Sequence, residues 1–395
     1  MNDAPRVLFI NPWDQRIGPN RYLAEMLAAD RALAEHSILA RARDDAAAAE
    51  YRALSCAVEI WQEVALVHLQ PNQKNLQRVL RTHTRGVQWA RARLRALRPD
   101  VVVTNSENVW FAGMAARSLH IPHLQVFHAL TLEHHWGKRP YLVRGYLHWL
   151  EMWSTKFIGV SQTVVDMLTR NGISPARVAL VRNGLNLQAI RAASEKNIPS
   201  ELEPTFRGHA PLLVTLGRIS AMKGHDLLIE TVARVKTTFP NVLCLFGGAV
   251  LSADGVEDTN AFYAHLQKRI EALNLQNNVL FLGEIDYAPA LLKRADVYVQ
   301  PSRTESFCRA VVEALAVGTP VAAFRAGALP ETIGAGGVFA PAEDVNALAE
   351  AIVSLLQEPS LRANTLEAGA SHIRAYEAQD SARALRTLLT TVCDA

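Results

Sequence analysis

The sequence lacks the features that mark several classes of protein. Its 395 residues include only four cysteines, and no two of them form a Cys-x-x-Cys pair. This excludes a zinc ribbon, and the wide spacing of the cysteines disfavours a disulfide framework. No apolar run approaches the ~20 residues that a membrane span needs. The start of the chain also lacks the basic and then apolar pattern of a signal peptide. These absences predict a cytoplasmic protein.

The composition is that of a globular protein with large cores. Hydrophobic residues make up 49% and charged residues 20% of the chain, which excludes a disordered, collagen-like or coiled-coil protein. The length suggests two or three domains. Residues 1–200 carry 25 Lys and Arg against 16 Asp and Glu, or +9, whereas residues 201–395 carry 16 against 22, or −6. All seven tryptophans lie in the first half. The two halves therefore meet different surroundings or ligands.

Short apolar runs alternate with helical patterns along the whole chain. Near-continuous apolar runs between helices are typical of parallel strands that are buried on both faces. Strands that alternate with helices form right-handed βαβ units. We therefore predict an α/β protein with two doubly wound, Rossmann-like domains that face each other across a cleft. The predicted strands are 6–12, 101–106, 124–128, 157–161 and 178–183 in the first half, and 212–217, 242–248, 279–283, 297–301 and 320–324 in the second.

The domain boundary is predicted where the apolar period is lost. Residues 188–210 are rich in charge, proline and glycine, so we interpret them as a linker between domains at 1–187 and 211–374. A final helix, at about 375–395, could pack back on the first domain. Doubly wound sheets bind ligands at the carboxyl ends of their strands, so the functional motifs should follow strands.

Two cations follow the first strand of the second half. Arg218 stands at the strand end, and Lys223 opens the next helical pattern. A helix start is already positive, so this spacing indicates an anion site, most naturally for a diphosphate. The alternative is a solvated arginine and lysine in a surface loop.

Two carboxylates follow the strand at 297–301. Glu305 stands at a predicted helix start near Phe307, and Glu313 lies eight residues later. Two helical turns would place them on one face, ~11–12 Å apart, which suits two hydroxyls of an extended ligand better than a glycosidase acid pair. Amides from Ser306 to Arg309 could bind phosphate. Alternatively, Glu305 is only a charge at a helix start and Glu313 a paired structural acid.

These motifs carry a resemblance to a known family. The order GRxxxxKG, FLG, PSxxExF with a second glutamate eight positions on, GTPVAA and LPETI runs from Gly217 to Ile333. It resembles the retaining glycosyltransferases of family 4. The first half adds FIGVSQ (157–162) and VRNGLN (181–186), which are similar to segments that precede the interdomain crossing in that family.

The resemblance implies an architecture and a set of roles. The fold would be the two-domain GT-B architecture, with a nucleotide sugar on the C-terminal domain. Arg218 and Lys223 would neutralise the diphosphate, Glu313 would bind the ribose, and Glu305 the transferred sugar. Further donor contacts would come from Gly217, Gly247, Gly283, Ile285, Ser306, Phe307 and Cys308.

The resemblance also implies a mechanism. In a retaining transfer the acceptor arrives on the face that the diphosphate leaves, and a leaving phosphate oxygen can take its proton. Cations at the phosphate stabilise the developing charge. The sequence contains no Asp-x-Asp motif, by which the metal-dependent glycosyltransferase fold holds its ion. We therefore expect no essential metal and no cofactor, the nucleotide sugar being a substrate.

The first half departs from the family in one loop. Two adjacent glycines are common there, whereas this chain has Gly18-Pro19-Asn20. Gly18 could still allow close approach to a phosphate, and Asn20 could instead cap the next helix. His128 ends a predicted strand where the family tends to place a histidine facing the transferred sugar. A lone histidine of this kind is also common as a structural residue. His134 and His135 are not assigned as metal ligands.

Two segments could handle the acceptor. Residues 72–98 have a helical apolar period and many basic residues with no acid, which could contact an anionic membrane or acceptor. The alternative is a solvated basic face. The second segment is HHWGKRPYLVRGYLHWLEMW. It is rich in aromatic rings, which could stack on sugars, lie at a lipid interface or belong to the core. No nucleic-acid motif is present, so we expect no nucleic-acid partner.

The sequence therefore predicts a metal-independent, retaining glycosyltransferase. It would use a UDP-sugar by preference and a glycan, lipid-linked or small-molecule acceptor, in cell-envelope or glycoconjugate synthesis. The alternatives are a nucleotide-sugar epimerase on the same architecture, glycosylation of a soluble metabolite, and a non-catalytic relative that binds a nucleotide sugar or recruits a partner to a membrane.

Overall fold

In a computed structural model the chain forms two α/β units. The first unit is Met1–Leu185 with Tyr376–Ala395, and the second is Asn186–Ala375. The structure describes residues 5–12, 18–41, 46–61, 73–128, 130, 139–250 and 259–394, with the backbone alone for 73–84 and 259.

The first unit is built on a parallel sheet of seven strands in the order β3-β2-β1-β4-β5-β6-β7. Every neighbouring pair is parallel. The order reverses between β1 and β4, which is where doubly wound sheets bind ligands. The strands are β1 (Val7–Ile10), β2 (Ser37–Arg41), β3 (Ala57–Ile60), β4 (Val101–Thr104), β5 (His123–Phe127), β6 (Lys156–Gly159) and β7 (Val178–Leu180).

The second unit repeats this plan with six parallel strands in the order β10-β9-β8-β11-β12-β13. Its order reverses between β8 and β11. The strands are β8 (Leu212–Leu216), β9 (Leu243–Gly247), β10 (Val279–Gly283), β11 (Val297–Gln300), β12 (Val321–Phe324) and β13 (Gly337–Ala340).

The described α-helices cover both units. They are α1 (Gly18–Ala29), α2 (Arg31–Glu35), α3 (Ala46–Ala53), α4 (Gln73–Leu97), α5 (Phe111–Ser118), α6 (Pro140–Glu151), α7 (Gln162–Arg170), α8 (Leu187–Ser194), α9 (Glu203–Phe206), α10 (His225–Thr238), α11 (Thr259–Ala272), α12 (Ala288–Arg294), α13 (Arg309–Ala316), α14 (Leu329–Ile333), α15 (Val345–Gln357), α16 (Pro359–His372) and α17 (Ala378–Cys393).

Alternate residues of the first sheet enter two separate cores. Val7 and Phe9 of β1 belong to one cluster with helix α1, whereas Leu8 and Ile10 belong to the other with helix α5. Successive side chains of a strand point to opposite faces. A strand that is apolar at every position is therefore buried on both faces, as the sequence predicted.

The last helix belongs to the first unit. Leu385 and Leu389 of α17 are fully buried in the core that contains α1. The segment that leads into the helix pairs with the end of the VRNGLN motif, because the Leu185 amide donates to the Tyr376 carbonyl at 2.8 Å. The Ala378 amide in turn donates to the Leu185 carbonyl at 3.1 Å. The structure thus places the predicted helix at 375–395 with the first unit.

The predicted linker at 188–210 is wrong. Helix α8 occupies 187–194, and short helical turns follow at Ser200–Leu202 and Glu203–Phe206, all within the second unit. Arg191 of α8 donates to the Ala316 carbonyl at 3.2 Å, and Arg294 forms an ion pair with Glu203 at 2.6 Å. The segment also buries Ile190 and Phe206, but these apolar residues are far apart in a stretch rich in charge, which is why it resembled a linker.

Three strands were missing from the sequence prediction, namely β2, β3 and β13. Each is four or five residues long and contains alanine or glycine, residues with low strand propensity. Strand β3 is also at the edge of its sheet and is only partly buried.

Among the described helices, none combines the length and apolar composition of a membrane span.

Candidate functional site

An ion pair joins the loops that follow β8 and β11, the two strands between which the order of the second sheet reverses. Lys223 ends the helical turn Ala221–Lys223 after β8, and Glu305 lies in the loop after β11. The Lys223 ammonium lies 2.7 Å from Oε1 of Glu305. Burial lowers the pKa of this ammonium, but the Glu305 carboxylate outweighs that effect, so the pKa lies above its ordinary value. The sequence prediction named both residues, and the fold brings them together.

Glu305 is held by three donors on one oxygen. Besides Lys223, its Oε1 accepts hydrogen bonds from Ser302 Oγ at 2.8 Å and Gln300 Nε2 at 3.1 Å. The Tyr298 hydroxyl donates to Gln300 Oε1, which fixes the orientation of that amide. Glu305 is 8% exposed, and its Oε2 accepts no hydrogen bond from any residue that the structure describes. The carboxylate is thus oriented with one oxygen left for a ligand.

Arg303 ties the two loops together. Its guanidinium binds Asp226 in a bidentate manner at 2.9 and 2.8 Å, and donates to the Ala221 carbonyl at 2.5 Å. Burial would raise the pKa of the Asp226 carboxyl, but the hydrogen bonds and charge of Arg303 lower it overall. Arg303 also reaches Glu343 at 3.1 Å. The sequence prediction missed Arg303 and Asp226, because their pairing spans 77 residues.

Two glycines allow the loops to approach. Gly224 has φ +70°, and a Cβ there would lie 1.9 Å from the Pro301 carbonyl oxygen. Gly327 has φ +52°, and a Cβ there would lie 2.2 Å from the Glu305 carbonyl oxygen. Only glycine satisfies both the backbone conformation and the lack of space. The positions of Lys223 and Glu305 therefore depend on neighbouring glycines.

The other predicted cation has a different environment. Arg218 is exposed, and no acid of the described chain forms an ion pair with it. Its positive charge acts to lower the pKa of Lys223, although burial and the Glu305 carboxylate have larger effects, so the two cations are close enough to interact. An exposed arginine beside a half-buried ammonium provides positive charge for an anion.

The predicted donor glycines come together at neighbouring strand ends. The Gly217 amide donates to the Gly247 carbonyl at 2.8 Å, and the Gly248 amide donates to the Gly283 carbonyl at 2.7 Å. A Cβ at Gly247 would lie 3.1 Å from Cδ1 of Ile285, which places that side chain beside the same backbone. Gly217, Gly247, Gly283 and Ile285 thus line the carboxyl edge of β8, β9 and β10.

The predicted common helix face for Glu305 and Glu313 is wrong. Helix α13 begins at Arg309, so Glu305, Ser306 and Phe307 precede it, and Cys308 adopts a left-handed conformation with φ +77°. Glu313 is 9% exposed and forms an ion pair with Arg309 at 3.3 Å. Phe307 is 3% exposed, and its carbonyl accepts from Thr332 Oγ1 at 2.6 Å. The turn at Cys308 separates the two glutamates into a loop and a helix.

In the first unit, His128 lies at the carboxyl end of β5. Its Nε2 is 2.6 Å from Oδ1 of Asn105, which follows β4, and its ring meets the Tyr22 ring edge-on at 5.0 Å. His128 is 8% exposed, and burial lowers its pKa to about 3. The imidazole is therefore neutral at physiological pH.

A buried carboxylate lies beside this histidine. Glu107 is 2% exposed, and its Oε2 lies 3.4 Å from the His128 backbone nitrogen. Burial raises its pKa to about 7. The loop that carries it is fixed by Gln125, whose Nε2 donates to the Ser106 and Val109 carbonyls. The sequence prediction missed Glu107 and Asn105, although polar residues directly after a buried strand were the signal that could have found them.

Family models match both units in turn. The model for glycosyl transferases group 1 matches residues 201–372, and the model for glycosyltransferase family 4 matches residues 18–189. Together they span most of the chain. The chain belongs to the family 4 type of glycosyltransferases.

Curated relatives of this family 4 protein resemble part of it. It is 28% identical to the D-inositol 3-phosphate glycosyltransferase of Kribbella flavida over 58% of the chain and 55% of that relative. It is 32% identical to the phosphatidyl-myo-inositol mannosyltransferase of Mycobacterium leprae over 58% of each. The chain thus spans less than two thirds of the length of these relatives.

Solved structures match this family 4 protein over almost its whole length. The Anabaena protein HepE, crystallised with UDP and glucose, gives a TM-score of 0.78 at 20% identity and covers 98% of this chain and 100% of its own. Sucrose-phosphate synthase from Thermosynechococcus elongatus gives a TM-score of 0.74 at 20% identity, and the match covers 98% of this chain and 99% of that structure. The fold is that of GT-B glycosyltransferases.

The structure contradicts the prediction that Asn20 caps the first helix of this family 4 protein. Helix α1 begins at Gly18, which is exposed and has nothing near its missing Cβ. Asn20 is therefore inside the helix and does not cap it. Its side chain is buried and binds Asn11 at 2.7 Å and the Tyr51 hydroxyl at 2.8 Å. Asn20 is thus part of an internal polar network.

The two segments that were predicted to handle the acceptor are partly structural. The ring of Trp149 contacts Trp110 edge-on at 4.0 Å, and both pack against the main core of the first unit. Tyr141 of the same segment is 66% exposed. In helix α4, Ala90 and Leu94 are buried, and Arg93 forms an ion pair with Glu59 at 2.7 Å. The side chains of α4 before Arg85 lie outside the described residues. His134, His135 and Trp136 of the other segment also lie outside them. Membrane contact through 72–98 stays a prediction.

Proposed function

We propose that the protein is a retaining glycosyltransferase that moves a sugar from a nucleotide diphosphate, with UDP preferred, to a hydroxyl of a glycan, glycolipid or small molecule. The observation that carries the proposal is the Lys223–Glu305 pair at the reversal point of the second sheet, with exposed Arg218 nearby. Family membership and the GT-B fold support it.

The residues of the second unit provide complementary groups for each part of the donor. Arg218 and Lys223 face the diphosphate, and Oε2 of Glu305 accepts from hydroxyls of the transferred sugar. Glu313, held by Arg309, binds the ribose. The backbone at Gly217, Gly247, Gly283 and Ile285 contacts the nucleoside. The segment from Ser306 to Cys308 contacts the phosphate and sugar.

The proposed reaction needs no protein nucleophile. The bond between the anomeric carbon and the diphosphate oxygen breaks, and the acceptor oxygen bonds to that carbon on the same face. The acceptor proton passes to a leaving phosphate oxygen. Lys223 and Arg218 stabilise the negative charge that grows on the phosphate, so no divalent metal is required in this proposal.

The acceptor assignment follows the relatives' names. Two of them act, by name, on phosphorylated inositol or its lipid. The HepE structure contains UDP and glucose, which favours a UDP-sugar, whereas one relative is by name GDP-mannose-dependent. We propose a role in cell-envelope or glycoconjugate synthesis at the cytoplasmic face. A soluble metabolite as acceptor, and non-catalytic nucleotide-sugar binding, are the competing functions.

The first test is thermal stability against UDP, GDP and ADP and their sugars, with EDTA present. A ligand that binds the folded protein raises its melting temperature. We expect one diphosphate to act selectively and one of its sugars to add a further shift. Glu313→Ala should reduce the nucleotide shift, whereas Lys268→Ala, an exposed lysine of α11, should not.

The second test is the stereochemistry of the product. With the selected donor and simple acceptors, proton NMR should show a product with the donor's anomeric configuration. An inverted product would disprove retention. A nucleotide shift with no transfer to any acceptor or water would favour the non-catalytic function, and loss of activity in EDTA that added metal restores would disprove metal independence.

A further inference from the structure

Arg303 is the centre of a polar cluster that joins loops of the second unit. It lies in the loop after β11, two residues before Glu305. Its guanidinium forms ion pairs with Asp226, in the first turn of α10, and with Glu343, in the loop after β13. The Arg303 side chain is 24% exposed and that of Asp226 is 28% exposed. Because water reaches this pair only in part, its charges are screened less than those of a surface ion pair.

Hydrogen bonds from Arg303 reach residues on both sides of Lys223. The Arg303 backbone amide donates to the Met222 carbonyl at 2.9 Å, and Nη1 donates to the Ala221 carbonyl at 2.5 Å. After Lys223, the two oxygens of Asp226 accept from Nη1 at 2.9 Å and from Nη2 at 2.8 Å. The segment that carries the ammonium is therefore attached to one arginine at both of its ends.

The turn that carries Lys223 is short. Residues Ala221–Lys223 form a single 3-10 turn between Ser220, which is extended, and Gly224, which is left-handed. Within it, the Lys223 amide donates to the Ser220 carbonyl at 3.2 Å, and the Gly224 amide donates to the Ala221 carbonyl at 3.0 Å. The hydrogen bonds of such turns have poorer geometry than those of an α-helix. The position of Lys223 therefore depends on what holds the turn from outside.

We propose that Arg303 is a positioning residue that acts through Lys223: it braces the turn Ala221–Lys223 against the loop after β11 and so holds the ammonium at Glu305. The role of Lys223 at the diphosphate rests on the proposed function, whereas its placement by Arg303 does not. In this inference Arg303 contacts neither the donor nor the acceptor.

The geometry of the cluster requires an arginine. Each nitrogen of the guanidinium has an acceptor: Nη1 and Nη2 bind Asp226, Nη1 also binds the Ala221 carbonyl, and Nε donates to Glu343 at 3.1 Å. A planar guanidinium matches a carboxylate with two parallel hydrogen bonds, whereas an ammonium is a point charge. A lysine at this position would keep the positive charge but would not hold all these acceptors together.

The first test measures how fast Lys223 reacts with a trace of acetic anhydride, by mass spectrometry of the whole protein without substrate. The reagent attacks the neutral amine, so an ammonium that leaves Glu305 reacts faster. We expect a severalfold increase for Lys223 in Arg303→Met and no change for Lys236 and Lys268 of the same unit. This separates local release from general destabilisation. A folded Arg303→Met protein in which Lys223 reacts as in the wild type would overturn the inference.

Arg294→Met is the matched control. Arg294 also binds a carboxylate with two nitrogens, since it donates to Glu203 at 2.6 and 2.9 Å. It precedes β11, whereas Arg303 follows that strand, so the two arginines lie at opposite edges of the sheet. The reactivity of Lys223 should be unchanged in this variant. An increase as large as in Arg303→Met would show that the loss of any such pair loosens the unit, and would overturn the inference.

The second test is a double-mutant cycle in the transfer reaction. In Arg303→Met we expect kcat to fall by about 10–100-fold, because a misplaced group stabilises the transition state poorly, while donor affinity falls less. In the double variant with Lys223→Ala, kcat should match that of Lys223→Ala within about twofold, since Arg303 has no further effect once Lys223 is gone. Losses that multiply would overturn the inference.

The conservative variant separates geometry from charge. In Arg303→Lys we expect kcat and the reactivity of Lys223 to lie between those of the wild type and Arg303→Met, because the ammonium can pair with Asp226 but cannot also hold the turn. Melting temperatures of the variants confirm that each is folded. An Arg303→Lys protein equal to the wild type in both measurements would show that charge alone suffices, and would overturn the proposed brace.

The inference and the proposed function fail separately. If Lys223 becomes more reactive in Arg303→Met but the wild type transfers no sugar, the brace stands and the proposed function is wrong. If the wild type transfers sugar but the reactivity of Lys223 does not depend on Arg303, the function stands and the inference is wrong.

Discussion

The Lys223 ammonium lies 2.7 Å from Oε1 of Glu305, although 82 residues separate them in the sequence. The pair joins the loops after β8 and β11, the two strands between which the order of the second sheet reverses. Glu305 therefore has a fixed partner on one oxygen and none among the described residues on the other. Lys223 thus orients the carboxylate, and in the proposed function the same cation also faces a phosphate.

Removal of the cation should affect turnover more than binding. In Lys223→Ala we expect kcat to fall by about 10²–10³, because the negative charge of the leaving phosphate is larger in the transition state than in the ground state. Donor affinity should fall less. Steady-state kinetics together with calorimetric titration of the donor separate the two effects. Lys268→Ala is the matched control, and equal losses in kcat and affinity would contradict the assigned role.

The orientation of Glu305 should depend on Gln300. In Gln300→Leu, Glu305 loses a donor at 3.1 Å, and the buried Tyr298 hydroxyl loses its acceptor. We expect a loss of about 1–3 kcal/mol in the free energy of unfolding, and a loss of activity. The double variant Tyr298→Phe with Gln300→Leu should regain most of the stability, since both polar partners are gone, but not the activity. Recovery of activity would show that Gln300 acts only through stability.

The backbone strain at Cys308 should be measurable. This residue has φ +77°, a conformation that costs a non-glycine residue about 1–2 kcal/mol. Cys308→Gly removes this cost but raises the entropy of the unfolded chain, so we expect a net gain of about 0.5–1 kcal/mol. Cys308→Val, with a branched side chain, should be clearly less stable than the wild type. Differential scanning calorimetry orders the three proteins, and a stability order of valine above glycine would contradict the assignment of strain.

Most strands, and the strand-end positions of Lys223 and Glu305, could be predicted because they depend on local pattern. Strands such as β4 and β8 are apolar at all but one position, a buried threonine, and this signal is contained in four or five consecutive residues. Lys223 and Glu305 follow such strands at family-like spacing. The short alanine- and glycine-containing strands β2, β3 and β13 carry no such signal. Their place in the sheets comes from tertiary pairing.

The residues that orient the site could not be predicted in the same way. Arg303 binds Asp226 across 77 residues, and Asn105 binds Asn11 across 94. Polar residues such as these are common at strand ends. Which of them bind each other depends on which strands are neighbours in the sheet. The helix start at Arg309 was misjudged because the sequence does not reveal the left-handed turn at Cys308.

The attachment of the last helix should tolerate no side chain at position 184. A Cβ at Gly184 would lie 2.6 Å from the Ala378 Cα atom, a backbone atom that cannot rotate away. We expect Gly184→Ala to lower the free energy of unfolding by about 1–3 kcal/mol. All seven tryptophans lie in the first unit, so their fluorescence in urea reports its unfolding.

Gly145 provides the matched control for that substitution. It lies in helix α6 and is exposed, and a Cβ there would meet no atom within 4 Å among the described residues. Gly145→Ala should stabilise the same unit by about 0.5–1 kcal/mol through helix propensity. A Gly184→Ala protein as stable as the wild type would mean that α17 is not held closely at Ala378.

The buried carboxyl of Glu107 should make the first unit less stable at high pH. Its pKa is raised to about 7 in the folded protein from 4.5, so the folded state favours the protonated form. The corresponding stability is present below pH 4.5 and is lost as the pH rises through 7.

The Glu107→Gln variant tests this dependence, because its side chain cannot ionise. Above pH 7 it should therefore exceed the wild type by up to about 3 kcal/mol, because each pKa unit corresponds to about 1.4 kcal/mol. This advantage should disappear towards pH 4.5. Tryptophan fluorescence in urea at several pH values measures it, with the exposed Glu350→Gln of the second unit as control. A pH-independent difference would show that Glu107 is charged in the folded protein across the range.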